Sequence, residues 1–192
     1  LGAVLHTVAR DLQPPPSVTW VNTGRDVRDL LSASDGECVV LNQDRNVGYS
    51  YQTLELDLGD VQDAPQVKLV IDGRTMIPTT AAGRAYSRTF GAQVKFEVQD
   101  ASGNWVAVPT STLILPKPPE FTRPFVLDVS NIWISDSRKV RLTYLYKTYM
   151  DSILLDTTAD VPVTITEVPM VSADLQPHGF NFRGGIGELY EY

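Results

Sequence analysis

Residues 125–156 read FVLDVSNIWISDSRKVRLTYLYKTYMDSILLD, and their periodicity decides the fold class. Val140, Leu142, Tyr144 and Tyr146 alternate with Arg141, Thr143, Leu145 and Lys147, the period of two that sends one set of side chains to a buried face and the other toward water. Leu145 is the one apolar member of the outward set. Residues 152–156 (SILLD) form a second short apolar run, and Tyr149, Met150 and Asp151 between the runs are few enough only for a turn. The stretch therefore predicts two core strands joined as a hairpin, as in a β-sandwich. On the same pattern Leu142 faces the core and Thr143 the solvent.

The flanking sequence repeats the same period. Residues 53–58 (TLELDL) alternate strictly, with Leu54, Leu56 and Leu58 inward and Glu55 and Asp57 outward. Residues 66–72 place Val67, Leu69 and Ile71 on one face, and Asp72-Gly73 is a hairpin signal. Residues 93–99 and 105–108, linked by 100–104 (DASGN), predict an antiparallel hairpin. Residues 18–21, 37–42 and 163–168 supply further strands, 79–91 a long loop, and Pro14, Pro15 and Pro16 an extended junction. At least eight strands with almost no helical period give an all-β chain, an antiparallel β-sandwich or jelly roll. The expected organisation is a lead-in at 1–17, a single sandwich domain at 18–170 and a glycine-bearing C-terminal tail at 171–192.

The chain has 192 residues and a net charge of −7, with 43% hydrophobic and 20% charged residues, which is ordinary globular usage. The acidic balance and scattered Lys and Arg argue against nucleic acid, whose phosphates need clustered basic side chains. No run approaches the ~20 apolar residues of a membrane-spanning helix. Cys38, the one cysteine, allows no internal disulfide and reads as a small strand residue. The chain opens on Leu1 without Met, basic n-region or apolar h-region, so it reads as a fragment of a longer protein or a trimmed chain, with its compartment unreadable. His6 and His178 are the two histidines, one near each end, so no nucleophile–histidine arrangement and no catalytic residue is assigned.

Two signals point to ligands. Asp57, Asp60 and Asp63 fall on one strand end and its turn, where oxygen donors suit Ca2+, against the plainer reading of an acidic turn; no other cofactor is expected. Trp133, Tyr149, Tyr49 and Tyr51 lie in or near loops, where aromatic rings stack on sugars or anchor a protein partner. Trp105, Tyr144 and Tyr146 add to the aromatic count, and core packing is the competing explanation for the last two.

Three pieces of the opening stretch, 125–129 (FVLDV), 138–142 (RKVRL) and 151–156 (DSILLD), resemble the late core strands of galactose-binding-like (discoidin-type) jelly rolls. With 26–35 (DVRDLLSASD), 163–169 and 173–180 (ADLQPHGF), the chain is similar to the domain that follows the repeats in bacterial FG-GAP and ASPIC/UnbV-type proteins. That resemblance implies a bacterial protein, at the cell surface or in the periplasm. It also implies a non-catalytic interaction or structural module that docks a neighbouring domain or another protein. The alternative is a carbohydrate-binding module that uses loop aromatics.

Overall fold

The computed structural model describes residues 9–42, 50–76, 81, 85, 94–109, 111, 123–164 and 166. Among them are ten strands: β1 (Ser17–Trp20), β2 (Arg25–Asp26), β3 (Val39–Leu41), β4 (Gln52–Asp57), β5 (Lys68–Met76), β6 (Val94–Gln99), β7 (Trp105–Ala107), β8 (Arg123–Asp128), β9 (Lys139–Tyr144) and β10 (Lys147–Asp156). They form a six-stranded sheet in the order β2-β1-β4-β9-β6-β7 and a four-stranded sheet in the order β3-β10-β5-β8. Every pairing is antiparallel. The chain is thus all-β, with two antiparallel sheets arranged as a β-sandwich.

The core comes from the inward halves of the alternating strands. Leu54 and Leu56 of β4, Val140 and Leu142 of β9, and Phe96 and Val98 of β6 are buried with Leu69 and Ile71 of β5 and Ile153 of β10. Pro124 falls in β8, at the edge of the four-stranded sheet, where a residue without an N–H does least harm to the ladder. The β6–β7 hairpin forms as its sequence predicts. Two compact units divide the chain, Leu1–Val161 and Pro162–Tyr192, and both sheets lie in the first. In the second, Pro162, Val163, Thr164 and Thr166 belong to no strand, so the strand expected at 163–168 is not formed at those positions. The tail at 171–192 lies outside the described residues, as does nearly all of the loop expected at 79–91.

The structure corrects three further expectations. β9 and β10 are not a hairpin: β9 belongs to the six-stranded sheet and β10 to the four-stranded one. Tyr149, Met150 and Asp151 continue β10, and the link is Leu145-Tyr146, both buried. Tyr144, Leu145 and Tyr146 are three large apolar residues in a row, too hydrophobic for a solvated hairpin tip. They line a corner where the chain crosses from one layer to the other.

Asp72-Gly73 is likewise no turn but the middle of β5. Opposite it the β10 register slips between Met150 and Ser152, and Asp151 is the extra residue of a bulge. A Cβ on Gly73 would lie 2.7 Å from the Tyr149 carbonyl oxygen, so this glycine lets two backbones approach. Finally, Thr143 is not solvated: it is 5% exposed, and its hydroxyl lies 2.9 Å from that of Thr53.

Candidate functional site

The connection from β8 to β9, residues 129–138, passes from the four-stranded to the six-stranded sheet. Its entry is fixed by Asp128, which accepts hydrogen bonds from the Ser130 amide at 3.0 Å and the Ser130 hydroxyl at 2.6 Å. Ser130 Oγ in turn accepts from the Val67 amide at 2.9 Å. Ile132 is buried and anchors the loop, while Trp133 packs half-buried against the core. Its neighbour Ile134 is 54% exposed. The polar residues that follow point back to the sheet. Ser135 Oγ donates to the Gln99 carbonyl at 2.6 Å, and Ser137 Oγ bonds Gln99 Oε1 at 2.9 Å.

Arg138 closes the loop. Its Nη1 donates to the carbonyls of Ser135 at 2.7 Å and Ser137 at 3.2 Å, and its guanidinium lies 5.0 Å from the centroid of the Trp133 ring. Its own carbonyl accepts from the Leu58 amide at 3.0 Å. One donor is left over: Arg138 Nε is buried and has no acceptor. A buried donor in that state carries a desolvation cost that the rest of the loop offsets. The result is a pinned loop that presents an apolar side chain, an aromatic ring and an incompletely satisfied cation.

The other aromatic candidates do not converge on this loop. Tyr149 lies on β10 of the four-stranded sheet, with Arg74 4.4 Å and Lys147 5.1 Å from its ring centroid. Tyr51, just before β4, carries Lys95 at 4.1 Å. The register Gln52↔Tyr144 puts Tyr51 at the far end of β9 from Trp133. Tyr49 lies outside the described residues, as do His6 and His178. Asp57 Oδ1 accepts from the Gly59 amide at 2.9 Å, while Asp60 and Asp63 are exposed on the turn. Among the described residues no group of three or more His, Cys, Asp or Glu is placed to hold a metal ion, and no helix is long and apolar enough to cross a membrane.

Two constellations come from residues that the sequence reading did not join. On the outward face of the six-stranded sheet, Arg141 bonds Glu55 Oε2 through Nε at 3.0 Å and Nη2 at 2.8 Å, and its guanidinium covers the Trp105 ring at 4.1 Å. The alternation already made Glu55 and Arg141 outward, so the pair was within reach once β4 and β9 were known to be neighbours. On the four-stranded sheet, Ser34 Oγ lies 2.9 Å from both Asp72 Oδ2 and Asp151 Oδ2, and Asp151 Oδ1 accepts from the Gly36 amide at 2.9 Å. Nothing local foretells that cluster, whose members are far apart in the chain. Nearby, burial and then the Asp151 carboxylate push the Cys38 thiol above its ordinary value, with Arg74 opposing. Burial alone raises the phenol of Tyr144.

No family model, no curated protein and no solved structure matches this chain.

Proposed function

We propose that this chain is a non-catalytic interaction module, a galactose-binding-like jelly roll in its finer fold, that docks a neighbouring domain or another protein through the β8–β9 loop. The observation that carries the reading is Ile134, largely exposed between the Trp133–Arg138 pair and a serine network that holds the loop in place. Trp and Arg dominate the energetics of protein interfaces, and a rigid loop loses little entropy when it is covered. A photo-crosslinking side chain at position 134, expressed in the native cell, should give protein adducts that are absent when the same group is placed at Thr19. Equal labelling at both positions would remove the docking role, and turnover of any substrate in a broad hydrolase screen would remove the non-catalytic one.

A second reading is supported by the outward face of the six-stranded sheet. There Tyr51 and Trp105 each carry a cation, with Glu55, Arg141 and Thr53 between them as hydrogen-bonding groups. Rings flanked by such groups fit a carbohydrate ligand. A glycan array probed with the wild-type chain and with Trp105→Ala tests it: binding that Trp105→Ala abolishes would favour this reading over the first.

A further inference from the structure

Charge and proline on an edge strand are the usual blocks to another strand adding on. β2 consists of Arg25 and Asp26, both exposed, and β8 contains Pro124 with Arg123 and Asp128 at its ends. β3 keeps Val39 and Leu41 buried. β7, at the opposite edge of the six-stranded sheet from β2, carries neither charge nor proline, and its Val106 is 41% exposed beside an exposed Ala107. The ladder shows which backbone groups β7 leaves over. The Val108 amide donates to the Phe96 carbonyl at 2.9 Å, and the Asp100 amide to the Asn104 carbonyl at 2.8 Å. With the register Val98↔Val106, residues 104, 106 and 108 therefore turn their N–H and C=O toward β6. Those of Trp105 and Ala107 point along the open edge. On the outward face two side-chain groups are left over as well. Among the described residues the Trp105 indole N–H has no acceptor, and the Glu97 carboxylate has no donor or cation.

We propose that two copies of this chain pair through β7, antiparallel about a two-fold axis at Val106, so that Trp105 of each faces Ala107 of the other and the two six-stranded sheets become one. The occupant is a second copy because this edge is complementary to itself. In that register the Trp105 amide donates to the Ala107 carbonyl of the second copy, whose Ala107 amide donates back to the Trp105 carbonyl, and symmetry repeats the exchange. All the edge groups of the strand are thereby used. Val106 meets Val106 of the second copy as a close, non-bonded pair, with Cα atoms about 4.5 Å apart, which covers the apolar surface that each exposes alone. A large ring lies opposite a small residue, so Trp105 finds room over Ala107 of the second copy. Glu97 is the neighbour of that Ala107 on β6, and two strand spacings, about 10 Å, separate it from Trp105 of the facing copy. Both side chains are long enough to meet over the alanine, and the indole N–H then donates to the carboxylate. A slip of one residue would lose the backbone exchange and this contact together. The pairing uses neither Ile134 nor the β8–β9 loop, so it stands apart from the docking reading.

Sedimentation of the whole chain over a range of concentrations tests the pairing. Each copy carries a net charge of −7, so the measurement is made at about 0.15 M salt, where that repulsion is screened. A contact this small implies weak association, with a monomer–dimer equilibrium expected at about 0.1 to 1 mM. Val106→Lys sets two like charges at the axis. Ala107→Pro removes an amide that points only outward and leaves the β6–β7 ladder whole. Each should raise the dissociation constant by more than about tenfold. The register is read separately by oxidative crosslinking in a Cys38→Ser background. Val106→Cys should form a disulfide-linked dimer, whereas Ala107→Cys, whose two copies would stand about 9 Å apart, should not. A chain that stays monomeric at 1 mM would overturn the proposal. So would a dimer that survives both edge substitutions, or equal crosslinking at positions 106 and 107. The wild-type sedimentation and the cysteine pair decide the matter even if Val106→Lys or Ala107→Pro fails to fold. A monomer that still gave adducts at position 134 would retain the docking loop and remove the β7 pairing alone.

Discussion

At Gly73 an added Cβ would meet not only the Tyr149 carbonyl oxygen but also Met150 Sδ, at 3.1 Å. Backbone cannot swing aside as a side-chain tip can, so Gly73→Ala should cost about 1 to 3 kcal/mol as an overpacked site. Equilibrium denaturation against wild type measures it, and a neutral result would mean that the bulge relaxes freely. At Ser34 one hydroxyl proton serves two carboxylates, one of them, Asp151, only 4% exposed. Ser34→Ala removes that donor and should cost about 1 to 3 kcal/mol by the same measurement. Neither effect was legible in the sequence. Asp72-Gly73 is spelled like a hairpin tip, and what makes it a close approach instead is a register slip on a strand some eighty residues later. Trp133, by contrast, could be singled out from its loop-like surroundings, but its partner Arg138 read only as the start of a strand.

Along β9, the alternation ordered the inward residues correctly and misjudged the environment of the outward ones. Leu142 is fully buried, and truncation to Ala should cost about 2 to 5 kcal/mol through lost burial and an unfilled cavity. Thr143→Ala, harmless on a wet face, should instead cost about 1 kcal/mol, because the bond to Thr53 is lost beneath a covered surface. Chemical denaturation of the two variants separates them. The β6–β7 hairpin offers an electrostatic counterpart. The Asn104 amide, followed by the Asn104 side chain and the amides of Ser102 and Gly103, holds the Asp100 carboxyl below its ordinary value. A carboxylate whose folded value is depressed contributes stability above its unfolded value and loses it as pH falls through the folded one. Asp100→Asn should therefore flatten the loss of stability below about pH 4, and a stability–pH curve for the variant that overlays wild type would show that the loop closes without the charge. This element was readable in advance because all its determinants are local: two alternating runs and a turn of Asp, Gly and Asn.

At the scale of the molecule, the sequence showed that strands exist but not to which layer each belongs. Alternation reports one buried face and is blind to the neighbour that buries it, so β9 and β10, adjacent in the chain, read as partners although they lie in opposite sheets. The hint was there in the uninterrupted Tyr144-Leu145-Tyr146, which a solvated turn does not tolerate. The same limit hid the outward Glu55–Arg141 pair and its Trp105 cover, which depend on sheet order. A polar network closes the other end of β10. Buried Lys68 pairs with Asp160 at 2.6 Å, Gln66 donates to the Thr158 carbonyl, and Asp156, itself buried, accepts from the Thr158 amide at 2.8 Å.

The corner at Leu145-Tyr146 has a mechanical consequence. Three peptide steps from Tyr144 to Lys147 span at most about 11 Å, and packed sheets sit about 10 Å apart, so the tether between the layers has little slack. Neither layer can drift away from the other to admit solvent while the tether's ends stay in their own ladders. Melting one layer must pull on a strand held between two neighbours in the other, β9 between β4 and β6, or β10 between β3 and β5. The first unit should therefore come apart in a single step, with the fluorescence of Trp105 on one sheet and of a probe placed at Tyr149 on the other falling at the same denaturant concentration. Inserting two glycines between Leu145 and Tyr146 would lengthen the tether and should pull those two midpoints apart.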